Sequence, residues 1–465
     1  MEAPDATITP DGRMVTRELA EWVARLSYDD LPPEVVEEAG RVVADYLGET
    51  LFVGATKPWG QAIAEFCAVD GACRPEATII ATGAKVMASK AALANGTMAL
   101  GFEYADFGGG GRPYPFSVTG PLALAETYHK SGKDLILSIA ISYEVMARVM
   151  SSTMPFGTDL KVYVPAIMGI LGSSAACARL LGLSVDNTNY ALGLGCAFAG
   201  GTFQGHEEGA WQRSLNGGMA SERAVNAALL AATGFKATQL GLEGVQGFAA
   251  QFANGDLDPS ELLDGLGESW AITRRWVKPY PMNLTLHAPV EALLKVMQDN
   301  DLRHTDIEQI SAAWQKVEPF LAKHKVSTVV AAQASLPFAL AVASVQGKVD
   351  VDSFTEETVA DPVIQGMVPK TVVYQDTELM SKVKGSMPSR VTVTTTDGRE
   401  LTAEILRPRG NPGNPLSEEE FRGKYMNMAA RVLGEEQAGR LYELARGLEK
   451  IDDVGELMAL VSPQK

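Results

Sequence analysis

Apolar residues recur at helical spacing along the first half of the chain. Leu19, Trp22, Val23 and Leu26 fall on one helical face. Pro32 and Pro33 open the next helix, where a missing N–H costs nothing, and Val35, Val36, Ala39, Val42, Val43, Tyr46 and Leu47 continue its apolar face. The same period predicts helices near 88–103, 119–129, 134–150, 162–181, 185–199, 212–233 and 240–253. Many of these positions are Ala or Gly and few are charged. Such helices pack closely, in a thick bundle or across a large subunit interface.

The pattern changes after Trp276. Lys278-Pro279-Tyr280-Pro281 breaks any helix. Residues 307–317 read as a strand. The alternation from Val391 to Thr396, the Asp397-Gly398 pair and the run from Arg399 to Ile405 predict a hairpin, with Asp-Gly supplying the positive φ values of a tight type I′ turn. Residues 278–406 therefore read as a smaller α+β domain. The Pro- and Gly-rich stretch 407–415 is a linker, and Ser417 with Glu420 forms a capping box for a following helix. Val454, Leu457, Leu460 and Val461 are again helical in period. No repeat or heptad seam interrupts this order.

Composition narrows the class. The chain has 465 residues, 46% hydrophobic and 21% charged, which describes a folded protein of two or three domains. Its formal charge of −17 argues against nucleic acid or an anionic membrane as partner, so an anionic substrate needs a local cationic pocket. The four cysteines, Cys67, Cys73, Cys177 and Cys196, form no C-x-x-C pair and have no histidine at zinc spacing; the pattern suits a reducing, cytoplasmic setting. The first 13 residues are polar and acidic, unlike a signal peptide. Two charge-poor runs, 162–178 and 187–205, contain polar breaks and read as buried core or interface helices rather than membrane spans.

Three clusters carry candidate chemistry. In the first, Glu103 and Asp106 stand three apart at the predicted end of a helix, on one face. Four glycines follow at 108–111, then Arg112, Pro113 and Tyr114. The glycines lack the Lys and Ser/Thr of a phosphate loop and read as a turn that lets backbone approach a ligand closely. The plain alternative for the cluster is a solvated helix end. In the second, Arg213 precedes a Gly- and Ala-rich helix, where a guanidinium and free backbone N–H groups make a carboxylate receptor. A salt bridge from Arg213 to Glu207 or Glu208 is the alternative. In the third, Lys278, Tyr280, Asn283 and His287 gather at the domain junction, a place ligand sites favour. No P-loop, zincin helix or nucleophile elbow is present.

The order and context of these clusters resemble the MmgE/PrpD family, which includes 2-methylcitrate dehydratase, cis-aconitate decarboxylase and iminodisuccinate epimerase. The likeness spans nearly the whole chain. It rests on Leu93, Asn95 and Gly96 before the acidic pair, the run from Pro121 to Glu126, Gly218 with Ala227 and Ala228, Leu242-Glu243-Gly244 with Gly247-Phe248, the Lys278 turn, and Gly410-Asn411-Pro412 with Asn414 to Ser417. The resemblance implies a mostly α protein: a large all-α domain built from both chain ends (1–277 and 407–465), an inserted α+β domain (278–406) and a homodimer. It also implies chemistry on di- or tricarboxylates without a redox cofactor or metal.

The chain departs from the family's usual residues. Leu100 stands where the family has a histidine, Glu103 where it has the first aspartate, Phe107 where a threonine is common, and Arg112-Pro113 where it has His-Pro. Asp106 matches the second aspartate. The family's Lys-x-x-His-x-Gly becomes Arg213, Asn216 and Gly218, and Asn283 replaces a histidine beside Lys278, Tyr280 and His287. The cations persist and most histidines do not.

The expectation is a lyase of the dehydratase or decarboxylase kind, acting at the carbon next to a carboxylate. Arg112, Arg213, Lys278, Asn216 and Asn283 hold the substrate; Glu103, Asp106, Tyr280 and His287 are the proton-transfer candidates. An epimerase, or a non-catalytic anion binder, are the alternatives.

Overall fold

In the computed structural model the described residues are 12–70, 74–108, 111–154, 162–314, 319 and 321–463. The chain is 59% helical and 9% strand, which makes it mostly α with a small α+β portion. The longer helices up to residue 232 are α1 Val15–Arg25, α2 Pro33–Thr56, α3 Pro58–Asp70, α4 Ala88–Ala99, α5 Thr119–Thr127, α6 Gly132–Thr153, α7 Val164–Leu180, α8 Val185–Phe198 and α9 Gln212–Ala232. Then come α10 His287–Asp299, α11 Leu336–Gln346, α12 Glu418–Leu433 and α13 Glu435–Arg446.

Local signals set several of these boundaries. Ser131 and Asp134 form a capping box that starts α6 ahead of its first apolar residue. Ser417 and Glu420 do the same for α12, as the sequence indicated. α6 is long and apolar enough to cross a membrane, but 78% of its apolar window is buried inside the protein, as in a core helix. α12 and α13 return to pack on α2, where a Cβ on Gly40 would lie 2.9 Å from the Ala445 carbonyl oxygen. One continuous apolar core takes in Leu47, Leu93, Ile139, Leu171 and Phe421.

The most extensive helix contact sets up the site. α4 and α9 run antiparallel. The pairs Lys90 with Glu222, Leu93 with Gly218 and Gly96 with Gly217 succeed one another along the crossing. A Cβ on Gly218 would lie 2.2 Å from the Leu93 carbonyl oxygen, and one on Gly217 2.4 Å from that of Gly96. Only glycine allows this approach. The crossing therefore brings the end of α4 to the first turn of α9.

The sheet has four strands, β1 Ile307–Trp314, β2 Thr371–Gln375, β3 Ser389–Thr395 and β4 Glu400–Ile405, in the order β2-β1-β3-β4. β1 and β2 are parallel and the other pairs antiparallel. α10 packs on β3 and β4. The chain enters and leaves this part side by side, since the Val277 N–H donates to the Gly410 carbonyl at 3.0 Å.

Three expectations need correction. The helix predicted over 88–103 ends at Ala99, because Gly101 is pressed against Val53 and the chain turns there. The helix predicted over 240–253 is mostly turns, with helix only at Phe248–Phe252. Three glycines loosen that stretch, and Glu243 is held by Thr16 instead of by helix neighbours. The hairpin turn is not type I′: only Gly398, at φ 86°, takes a positive φ, and Asp397 does not. Thr395 accepts from the Gly398 N–H, as in a longer turn that ends on a left-handed glycine. The strand predicted over 307–317 is present from Ile307 to Trp314, and 315–317 lie outside the described residues.

Gly218→Ala is expected to lower stability by roughly 1–3 kcal/mol through overpacking. Gly366→Ala, with nothing within 4 Å of the added methyl, stays within about 0.5 kcal/mol of wild type. Urea unfolding of the two variants measures the difference, and equal stabilities would contradict the close crossing.

Candidate active site

Glu103 lies four residues beyond the end of α4, with its backbone at φ 56°. That left-handed conformation costs a non-glycine residue roughly 1–2 kcal/mol. It is held from several sides. Glu49, on the buried face of α2, accepts from the N–H of Phe102 at 2.9 Å and of Tyr104 at 3.4 Å through one oxygen. Gln333 donates to the Phe102 carbonyl at 2.7 Å, and Lys278 Nζ to the Glu103 carbonyl at 2.8 Å.

The side chain of Glu103 sits among three cations. Arg213 Nη2 donates to one carboxylate oxygen. The other meets Arg112 Nη2 at 2.7 Å and Lys278 Nζ at 3.2 Å. All four groups are buried, Glu103 at 3%, Arg112 at 8%, Arg213 at 1% and Lys278 at 0% exposure. Each cation arrives by its own route. Arg213 is in the first turn of α9. Phe107 and Trp276 exchange backbone hydrogen bonds, which lays the Lys278 segment beside the first cluster. Gly108 and Gly111 also exchange hydrogen bonds, closing a turn that carries Arg112 back toward Glu103; residues 109 and 110 of that glycine run lie outside the described residues.

Burial pushes the Glu103 carboxyl upward, but Arg112, Arg213 and Lys278 together hold it well below the usual carboxylate range. The three cations thus keep Glu103 ionised in the neutral range. Burial pulls Lys278 down to about 7, against the opposing pull of Glu103. Its three Nζ protons all have acceptors: the Glu103 carbonyl, the Glu103 carboxylate and the Met282 carbonyl.

A fifth member is His206, on the short helix Gln204–Glu208. Its ring stacks between Tyr163, 4.5 Å away, and Phe203, 4.7 Å away. Arg213 Nε donates to His206 Nε2 at 3.1 Å, and Arg112 Nη1 donates to the Tyr163 hydroxyl at 3.1 Å. Burial, with Arg213 and Arg112 nearby, pushes the imidazole down to about 2, so it stays neutral. Two buried donor positions in the cluster have no partner, Arg213 Nη1 and His206 Nδ1.

Other candidate residues fall elsewhere. The i, i+3 argument for Glu103 and Asp106 fails because neither is helical. Asp106 accepts from the Tyr143 hydroxyl at 2.5 Å and the Tyr114 N–H at 3.1 Å, near Arg275. Burial raises it to about 6. Its neighbours form a second buried network, in which Asp45 pairs with Lys424 at 2.6 Å and Arg275 at 3.3 Å.

His287 is fully buried behind Lys278. Its Nε2 meets the Met282 carbonyl that also accepts from Lys278, and burial keeps the ring neutral. Tyr280 packs on the His287 ring at 5.3 Å, outside the group bound to Glu103. Asn283 is a cap whose side chain accepts from Thr285, and Asn216 donates to the Arg213 carbonyl at 3.2 Å. The rival salt bridge to Arg213 is absent, since Glu207 pairs with Lys323 and Glu208 accepts from Gln204. The first amides of α9 are not free either: Ala210 and Trp211 carbonyls accept from Arg213 and Ser214. Among the described residues no group of three or more His, Cys, Asp or Glu is placed to hold a metal.

Sequence reasoning passed over His206, Tyr163 and Glu49. Glu49 did leave a signal: with Asp45 it interrupts the apolar face of α2 at i, i+4. His206 and Tyr163 reach Arg213 and Arg112 only through the tertiary fold.

The site is thus a fixed anion ringed by buried cations, on a helical scaffold with an attached small sheet. The MmgE/PrpD N-terminal domain matches residues 17–260 and the C-terminal domain residues 280–450. The chain belongs to the MmgE/PrpD family, and with it to the lyase-type enzymes. It is 28% identical to a cis-aconitate decarboxylase-like protein of Aspergillus oryzae, over 98% of both chains. It is 26% identical to a cis-aconitate decarboxylase of Aspergillus terreus, over 96% of both. Identity to the human cis-aconitate decarboxylase is 24%, over 97% of this chain and 95% of that one.

Glu103→Ala strips the shared anion from three buried cations and is expected to destabilise the fold by roughly 3–5 kcal/mol, measured by urea unfolding; a loss under 1 kcal/mol would contradict the ion cluster. A second expectation concerns pH. Burial raises the Glu49 carboxyl from 4.5 to about 7. The folded state therefore binds more protons than the unfolded state in that window, and this group's contribution to stability falls as pH rises through it. Subtracting the pH–stability curve of Glu49→Gln from that of wild type isolates this downward slope; a flat or rising difference refutes it.

Proposed function

We propose that this protein is a lyase acting at the carbon next to a carboxylate of a small dicarboxylic or tricarboxylic acid, by decarboxylation in the first instance. The observation that carries this is the charge of the buried cluster. With Lys278 protonated, Arg112, Arg213 and Lys278 contact a single protein carboxylate, which leaves two positive charges uncompensated in a protein of net charge −17. Arg213 keeps an unpartnered donor in the same place. A substrate bearing two carboxylates balances that charge and satisfies that donor. The names of the relatives favour decarboxylation over dehydration.

The reaction follows from those groups. Arg112 and Arg213 hold the carboxylate that remains on the product. Breaking the bond to the departing carboxylate releases CO2 and leaves its electron pair on carbon. That pair spreads into the retained carboxylate, whose second negative charge the guanidiniums stabilise. Lys278 as ammonium turns one Nζ–H from the Glu103 carboxylate to the carbon and delivers that proton, and it is reprotonated from solvent once the product has left. The groups named suffice for this chemistry without a redox cofactor. Glu103 keeps Arg112, Arg213 and Lys278 oriented and takes no part in proton transfer. Asp106, Tyr280 and His287 stand behind the reacting groups.

The test is CO2 release from cis-aconitate and from a panel of citrate-type and amino-dicarboxylic acids. Arg213→Ala and Lys278→Met are each expected to lower kcat/KM at least about 100-fold on the active substrate. Because the proton donor is the protonated Lys278, kcat is expected to fall as pH rises above about 7. Full activity in both variants overturns the assignment. Solvent deuterium entering the α-carbon without loss of CO2 or water would assign the site to an epimerase instead.

A further inference from the structure

His206 is held as one tautomer by its surroundings. A guanidinium has only donors, so the Arg213 Nε–H must point at a bare lone pair on His206 Nε2. The ring proton is then on Nδ1. Turning the ring over would put Cε1 where Nε2 stands and lose the Arg213 bond, so that bond, with Tyr163 and Phe203 stacked on the ring, selects this orientation. Nδ1 is buried and has no acceptor. Buried N–H groups are nearly always paired, so one left open beside a cationic cluster marks the place of an acceptor that arrives with a ligand. A neutral donor there adds direction without adding charge, and burial keeps this imidazole neutral at any working pH.

We propose that His206 is a substrate-binding residue whose Nδ1–H donates to an oxygen of the bound carboxylic acid. This rests on the reading of the cluster as a carboxylate site. It goes beyond that reading in assigning a contact to a neutral side chain rather than to the cations. The competing role is structural, with His206 serving only to orient Arg213 through Nε2.

Two substitutions separate these roles. In His206→Asn the amide nitrogen falls where Nδ1 stands, so the outward donor survives and the acceptor for Arg213 is lost. In His206→Gln the amide oxygen falls where Nε2 stands, so the acceptor for Arg213 survives and the outward donor is lost. Binding of cis-aconitate and of succinate to the full-length protein is measured by calorimetry, with thermal unfolding of each variant alongside.

The proposal expects His206→Gln to weaken binding at least about 10-fold, the value of a hydrogen bond to a charged group. It expects His206→Asn, which keeps the outward donor, to lose at least about threefold less affinity than His206→Gln. Binding by His206→Gln equal to wild type overturns it. Equal losses in both variants overturn it as well and leave His206 a positioning residue for Arg213. A readout independent of the variants' folding comes from nitrogen-15 spectra of the histidines in ligand-free wild type. His206 is expected as the Nδ1–H tautomer at neutral pH, and a protonated ring or the Nε2–H tautomer overturns the proposal. If wild type binds neither acid, the carboxylate reading itself falls and takes this inference with it. Binding by wild type that ignores the loss of the His206 donor sinks the inference alone.

Discussion

The Glu103 carboxylate is the point on which the architecture turns. It ties together segments far apart in the chain: the end of α4, the turn that carries Arg112, the first turn of α9 and the Lys278 segment that leads into the sheet. Taking an ion from water into a protein interior costs several kcal/mol even after relaxation. A buried anion is tolerable only where its oxygens are fully engaged, and here three cations engage them. The same logic runs in reverse for the cations. Without Glu103 they would be three like charges buried together.

This arrangement demands accurate backbone placement, and the surroundings supply it. Glu49 grips the amides on either side of Glu103, Gln333 grips the carbonyl before it, and Lys278 takes its own carbonyl. The close approach of α4 to α9 puts Arg213 within reach, and that approach depends on glycine at 96, 217 and 218. A helix contact that seems purely a matter of packing is therefore also what sets the electrostatics of the site. The left-handed backbone at Glu103 is strain held in place by these contacts rather than flexibility.

Much of this was legible beforehand, for identifiable reasons. Helices with a clear apolar stripe, such as those opening at Pro33 and Gln212, were readable because burial imposes the 3.6-residue period. The stretch after Leu240 was misread because its small residues satisfy that period equally well in turns. The three cations could be named from sequence, since buried Arg and Lys in Gly- and Pro-rich settings need partners. Spacing placed Glu103 and Asp106 on one helical face, whereas the chain has left the helix there and sends the two side chains into separate networks. His206 lies seven residues before Arg213, and nothing in that spacing says that a ring will sit edge-on to a guanidinium. Tyr163 is more distant still, and only the fold brings it to Arg112.

Glu103 also limits what the site can do. A loosely held side chain could swing aside and give up its place to a substrate carboxylate, which would expose three positive charges. The backbone around Glu103 is pinned through both neighbouring amides and two carbonyls, and its carboxylate is bound on both oxygens, so displacement means dismantling the junction of four segments. On the proposed reading a ligand joins Glu103 rather than replacing it. It then meets two net positive charges, the open Arg213 donor and a neutral imidazole held by that same arginine. Such a site favours an intermediate whose negative charge grows on the retained carboxylate, because the guanidiniums are already fixed by Glu103 and need no reorganisation as the charge develops. The buried anion that lowers the net charge of the pocket is thus also what keeps its cations preorganised.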